Sequence, residues 1–207
     1  MTAEPKRALQ LLHRELGVCC KCPKMIRPVV HGPAVATRVI LVGQAPGPRE
    51  GGFGRPFAWT AGRTMFRWFE ERLGIDEETF RARVYIAAVA RCFPGKAAQG
   101  GDRRPDAREI EACRSWLARE AAILQPDLVV AVGALAIEQI LGTKAPLAEV
   151  VGTIQRKRWH GRQVDVGPLP HPRGAAPWHK VEPGKTLLTT ALSRLAKHPA
   201  MRIVLAA

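Results

Sequence analysis

Two hydrophobic periods alternate along this chain. Residues 39–42, 83–90 and 128–132 are, apart from Arg83, apolar and rich in β-branched residues without alternation, the pattern of strands covered on both faces. Around them, apolar residues recur at helical spacing. Residues 5–16 place Leu9, Leu12 and Leu16 on one face. A second helix is predicted from Thr60, a candidate N-cap, to Gly74, with Met65, Phe66, Trp68, Phe69 and Leu73 as its apolar side. Further helices are predicted over residues 106–124, 133–141 and 185–197. Residues 150–154 and 163–166 read as short strands flanking a basic bend, 155–160. Strands alternating with helices predict one α/β domain over residues 1–207. Its expected form is a three-layer αβα sandwich around a central, mainly parallel, four-stranded sheet.

In such a sheet, ligands bind where loops leave the carboxyl ends of the strands. The first strand ends at Gly43-Gln44-Ala45-Pro46-Gly47, a loop able to bring backbone N–H groups against a small planar or anionic group. Alone it reads more readily as an ordinary strand-to-helix connection. Leu169-Pro170-His171-Pro172-Arg173-Gly174 is a second rigid loop that can converge on the same edge.

Charge narrows the partners. The 207 residues carry a formal net charge of +14, spread along the chain as arginines and not gathered in a tail. That favours a folded surface meeting a polyanion. No apolar run approaches the ~18 residues of a membrane span, so a soluble, cytoplasmic chain is expected. The five cysteines of an intracellular chain are not read as structural disulfides. Cys19-x-x-Cys22 followed by Pro23 has metal-ligand spacing, and a site that also used Cys92 and Cys113 would staple the N-terminal segment to the centre.

Taken in order, the motifs resemble the uracil-DNA glycosylase superfamily, most closely its iron–sulfur branches, families four and five. The matching pieces are Cys19-x-x-Cys22-Pro23, Gly43 to Gly47, Gly54-Arg55-Pro56-Phe57 with Ala61-Gly62, and the strand ending at Cys92. Pro105, Glu109 to Cys113, Pro126-Asp127 and His171-Pro172 complete them. The resemblance implies a [4Fe–4S] cluster on Cys19, Cys22, Cys92 and Cys113, with Cys20 a spare thiol. Thiolate chemistry alone leaves zinc open. It also implies hydrolysis of the N-glycosidic bond of a deaminated base flipped out of DNA, in base-excision repair.

The roles carried by the resemblance are specific. Phe57 would stack on the base, and Gly43, Gln44, Ala45 and Ala88 would line its pocket. His171 would donate a hydrogen bond to the carbonyl oxygen that gains charge. Gln44 and Glu50 are the candidates to hold or activate water, and Arg173 and Gly174 would meet DNA. Family-four members usually carry Glu at the Gln44 position, and Asn where this chain has Ala87-Ala88. A pocket without that amide is expected to admit hypoxanthine or xanthine beside uracil. The alternative is an inactive protein that binds damaged or abasic DNA. DNA containing deaminated bases is the expected partner, and the chain is expected to be a monomer.

Overall fold

The computed structural model describes residues 3–172 and 177–206. Strands β1 (Val39–Gly43), β2 (Tyr85–Ala88), β3 (Leu128–Val132), β4 (Gln155–Trp159) and β5 (Arg162–Leu169) form one sheet in the order β2-β1-β3-β5-β4. β1 is parallel to both neighbours, with Val42 opposite Ala87 and Ala131. β5 is parallel to β3, and β4 is antiparallel at the edge. Every residue of β1, β2 and β3 is buried, as their unbroken apolar runs require.

The sheet therefore has five strands, not the expected four. The stretch read as a basic bend is itself β4, and residues 150–154 are not a strand. They close a short helix, α7 (Leu147–Val150), and the turn at Gly152 (φ +89°) that follows it. Positive φ at His160 (+45°) and Gly161 (+82°) gives the two-residue turn that matches strand twist and joins β4 to β5. Arg156 and Arg158 are exposed on this edge strand, where charge discourages pairing with another chain.

The helices in chain order are α1 (Ala3–Gly17), α2 (Glu50–Phe53), α3 (Thr60–Leu73), α4 (Glu77–Arg83), α5 (Ala107–Leu124), α6 (Ala134–Leu141), then α7. After a 3₁₀ turn (Pro177–Lys180) come α8 (Gly184–Lys197) and α9 (Pro199–Ala206). α3 takes Trp59, not Thr60, at its N-cap and ends on a left-handed Gly74. α4 is capped by the Asp76 side chain and occupies the start of the predicted second strand. At α5, Asp106 and Glu109 form a reciprocal capping box.

Alternate strand residues face opposite layers. Ile40, Val42, Tyr85, Ala87, Val129 and Ala131 pack with α1, α5 and α6. Val39, Leu41, Ile86, Leu128, Val130 and Val132 pack with α3, α4, α8 and α9. Among the described residues, no helix is long and apolar enough to cross a membrane.

The first layer also holds a buried polar chain. Tyr85 donates its hydroxyl proton to Glu120 Oε1 at 2.7 Å. His13 Nε2, 2.8 Å from the same hydroxyl, is then the donor to it. Arg91 Nη2 donates to the second Glu120 oxygen, and both partners are essentially inaccessible. Burial, with His31 and Arg91 nearby, lowers the His13 pKa from 6.5 to about 4. The unfolded chain thus binds this proton more readily than the folded one. The resulting stability is complete above about pH 6.5 and is lost as pH falls toward about 4, by roughly 3 kcal/mol at most. The melting temperature should decline across that window, and His13→Gln, which keeps an N–H donor without titrating, should flatten the decline. Parallel curves for the two proteins would remove His13 as its cause.

Candidate active site

The loops after β1, β2, β3 and β5 leave the same edge of the sheet. The chain leaving β1 passes into helices of one layer and the chain leaving β3 into α6 of the other, so the crevice between them is a topological switch point. A cavity of about 160 Å³ lies there. Cavities of about 150 Å³ hold a benzene ring. Gly43, Gln44, Ala45, Glu50, Phe57, Ala88 and His171 all line it, so the structure brings these sequence-predicted residues together. Arg173 and Gly174 lie outside the described residues.

Phe57 forms a wall of the cavity under constraint. Its backbone is left-handed (φ +54°), which a bulky side chain adopts only when its surroundings impose it. Three neighbours do so. A Cβ on Gly43 would lie 2.7 Å from the Phe57 ring, and one on Gly62 would lie 1.7 Å from the Phe57 carbonyl oxygen. The buried Arg81 donates to the carbonyls of Pro56 and Phe57 at 2.9 and 2.8 Å, and to Glu77 at 2.8 Å. Arg81 escapes sequence reasoning because its spacing from Glu77 is that of an ordinary exposed helical pair.

Glu50 is buried at the start of α2. Its Oε2 accepts from the Gly47 N–H at 3.2 Å. Burial raises its pKa, while the N–H groups of Gly47, Ala58 and Phe57, and the Arg81 charge, oppose the rise. The carboxyl group thus links the first loop to the Phe57 segment. Gln44 is half-buried, and its carbonyl accepts from Ala90 N at 3.0 Å, which extends the β1–β2 pairing into the loop. Ala88 presents no polar side chain. His171 packs on Gly133, where a Cβ would stand 3.2 Å from the ring, and Gly133 N donates to Leu169 O at 2.9 Å.

The loop after β2 adds Asp102 and Arg103 to the lining. Asp102 is ion-paired with Lys96 at 2.6 Å, and Arg103 meets Glu109 through both terminal nitrogens at 2.7 and 2.8 Å. Both were hidden in a Gly-rich basic stretch without periodicity.

Cys19, Cys20, Cys22, Cys92 and Cys113 line a second cavity, of about 140 Å³. Residues 26–30 pair with 91–93 through the Ile26–Phe93 bridge and the Val30 N to Arg91 O bond of 2.8 Å, which carries Cys22 toward Cys92. Cys92 and Cys113 are buried and Cys20 is exposed, and all five are free thiols. Burial, then the neighbouring thiols, push Cys22 and Cys92 up to about 11. Among the described residues, no group of three or more His, Cys, Asp or Glu side chains is arranged to hold a metal ion. Arg91 and Trp116 line the same cavity, and Arg91 Nε and Nη1 and Trp116 Nε1 are buried donors without an acceptor.

A cavity at the carboxyl edge of a mainly parallel αβα sheet agrees with the sequence comparisons. The model of the uracil DNA glycosylase superfamily matches residues 29–196. A type-4 uracil-DNA glycosylase of Pyrobaculum aerophilum is 32% identical over 157 residues, 74% of this chain and 75% of the relative. The type-4 enzyme of Thermotoga maritima is 31% identical over 148 residues, 70% and 72% of the two chains. A type-5 uracil-DNA glycosylase of Pyrobaculum aerophilum is 28% identical over 152 residues, 59% and 65%. The chain belongs to the uracil DNA glycosylase superfamily.

The clamp on Phe57 is open to measurement. Arg81→Ala should lower unfolding free energy by about 3 kcal/mol in urea, since two charge-assisted bonds to buried carbonyls are lost. Arg81→Lys should recover part of it. A midpoint shift within error for Arg81→Ala would mean the strained backbone is held by the glycine contacts alone.

Proposed function

We propose that this chain is a DNA glycosylase that hydrolyses the N-glycosidic bond of uracil in DNA and leaves an abasic site for base-excision repair. The observation that carries this reading is the convergence of the Gly43 loop, Phe57, Glu50 and His171 on one ring-sized cavity, in a chain of this superfamily. The whole chain is taken as one catalytic unit. DNA enters as an extruded nucleotide, and the basic surface supplies the phosphate contacts.

Phe57 stacks on the base, and Gly43, lacking a side chain, leaves room for both rings. As the C1′–N bond breaks, its electron pair departs on the base, and charge gathers on a ring carbonyl oxygen. His171 donates a hydrogen bond to that oxygen. Water held between Gln44, Ala45 and Glu50 adds to C1′, and its proton passes to the Glu50 carboxylate. Burial raises the proton affinity of that carboxyl, which favours its taking the proton. The Ala88 side chain offers no hydrogen bond to the base edge, so hypoxanthine and xanthine are admitted beside uracil.

The cysteine cavity suits a [4Fe–4S] cluster on Cys19, Cys22, Cys92 and Cys113. Burial and the neighbouring thiols hold Cys22 and Cys92 in the protonated form, and the three orphan donors of Arg91 and Trp116 suit an electron-rich acceptor. When bound, such a group supplies iron–thiolate bonds that tie the N-terminal segment to β2 and α5, and takes no part at the base.

An oligonucleotide with one uracil, hypoxanthine or xanthine, incubated with the protein and treated with alkali, should break at the modified position, uracil included. No break with any of them, accompanied by tight DNA binding, would replace this reading with that of an inactive damaged-DNA binding protein. His171→Ala should lower the single-turnover rate about 10²–10³-fold while the visible absorption of the cluster is kept, and an unaltered rate would remove His171 from the chemistry. Cys22→Ala should lose iron and acid-labile sulfide and Cys20→Ala should keep both. The reverse pattern would exchange their roles.

A further inference from the structure

Two large aromatic side chains stand in solvent at the mouth of the cavity. Phe53 is 50% exposed and Trp59 is 37% exposed. Their rings are stacked, with centroids 5.9 Å apart and planes inclined by 25°. Arg49 and Arg63, both exposed, place their guanidinium carbons 4.5 and 5.3 Å from the Trp59 ring centroid. Trp59 and Arg49 also line the cavity itself. The patch and the base pocket are therefore one continuous surface, with Phe57 and Trp59 two residues apart in the chain.

Core packing does not account for this pair. The other aromatic side chains of α3, Phe66, Trp68 and Phe69, are buried. Exposed rings flanked by arginines are what a protein presents to unpaired nucleotides, because every base has a face that stacks and every linkage a phosphate that attracts a cation. Resting on the glycosylase reading above, we infer that Trp59 and Phe53 form a stacking platform for the unpaired base adjacent to the extruded nucleotide, with Arg49 and Arg63 reaching its flanking phosphates. The occupant is a nucleobase of the damaged strand. An acidic peptide could satisfy the arginines, but it offers no flat aromatic surface to the exposed Phe53–Trp59 pair.

The test is the affinity for a short single-stranded oligonucleotide carrying one central dU, measured by fluorescence anisotropy. Trp59→Ala should raise Kd about tenfold and Trp59→Phe, which keeps a stacking ring, about twofold. The ratio of Trp59→Ala to native Kd should be the same at low and high salt, because stacking releases no counterions. Arg63→Ala should instead flatten the salt dependence. Phe53→Ala, at an exposed helix end, should act in the same direction as Trp59→Ala and replaces it if the latter fails to fold by circular dichroism. Unchanged Kd for the folded variants, with uracil released by the native protein, would overturn the platform and leave the glycosylase reading standing. Loss of binding on Trp59→Ala, with no base released by the native protein, would keep the platform and overturn that reading.

Discussion

The left-handed backbone at Phe57 is the constraint on which the pocket depends. A bulky residue in that region costs about 1–3 kcal/mol, and the molecule offsets it from three directions. Arg81 holds the carbonyls of Pro56 and Phe57, Gly62 lets α3 approach the same carbonyl, and Gly43 lets the ring lie on the end of β1. The Glu50 carboxylate ties the loop after β1 to this segment. The wall is thus set before any ligand arrives, which lowers the ordering cost of binding. Glu50 consequently serves two demands. As a carboxylate it holds two loops, and burial raises its proton affinity, so its structural and proposed chemical roles draw on the same charge.

A second constraint lies on the opposite side of β2. Arg91 and Glu120 form an ion pair with no access to water, and Tyr85 and His13 extend it to α1. Such pairs stabilise little in themselves but are costly to break singly, since the partner is left charged in an apolar setting. Here the pair anchors the residue just before Cys92 to the helix that carries Cys113. The end of β2 therefore serves both cavities, presenting Ala88 to one and Cys92 to the other.

Periodicity made the central strands and most helices legible. Unbroken apolar runs at 39–42 and 128–132 can only sit between two layers, and β1 and β3 end within one residue of those bounds. The basic segment 155–159 was not legible as a strand, because its lysine and arginines hide an alternation that only the edge position explains. α4 was missed because 77–83 is too short for a helical period to emerge. At the site, residues from separate loops were readable through motifs. Arg81, Asp102 and Trp59 were not, since each acts through a neighbour distant in sequence or through exposure, neither of which a linear pattern carries.

The loop after β2 illustrates how spacing in sequence and spacing in the molecule part company. Lys96 and Asp102 pair as an isolated bridge, and Ala97 N closes on Gly101 O at 3.1 Å. The residues between them form a small closed ring standing off the main path of the chain. The route from Cys92 to Cys113 therefore runs past the neck of that ring and not around it. Loop closure grows only slowly with length, so this ring is a permissive point. Residues 97–101 thus lie off the path of chain that joins the two cysteines. Asp102 at the neck faces the base cavity. The ring lies one residue from a group that lines the site, and the chain separates the two by a single pinch.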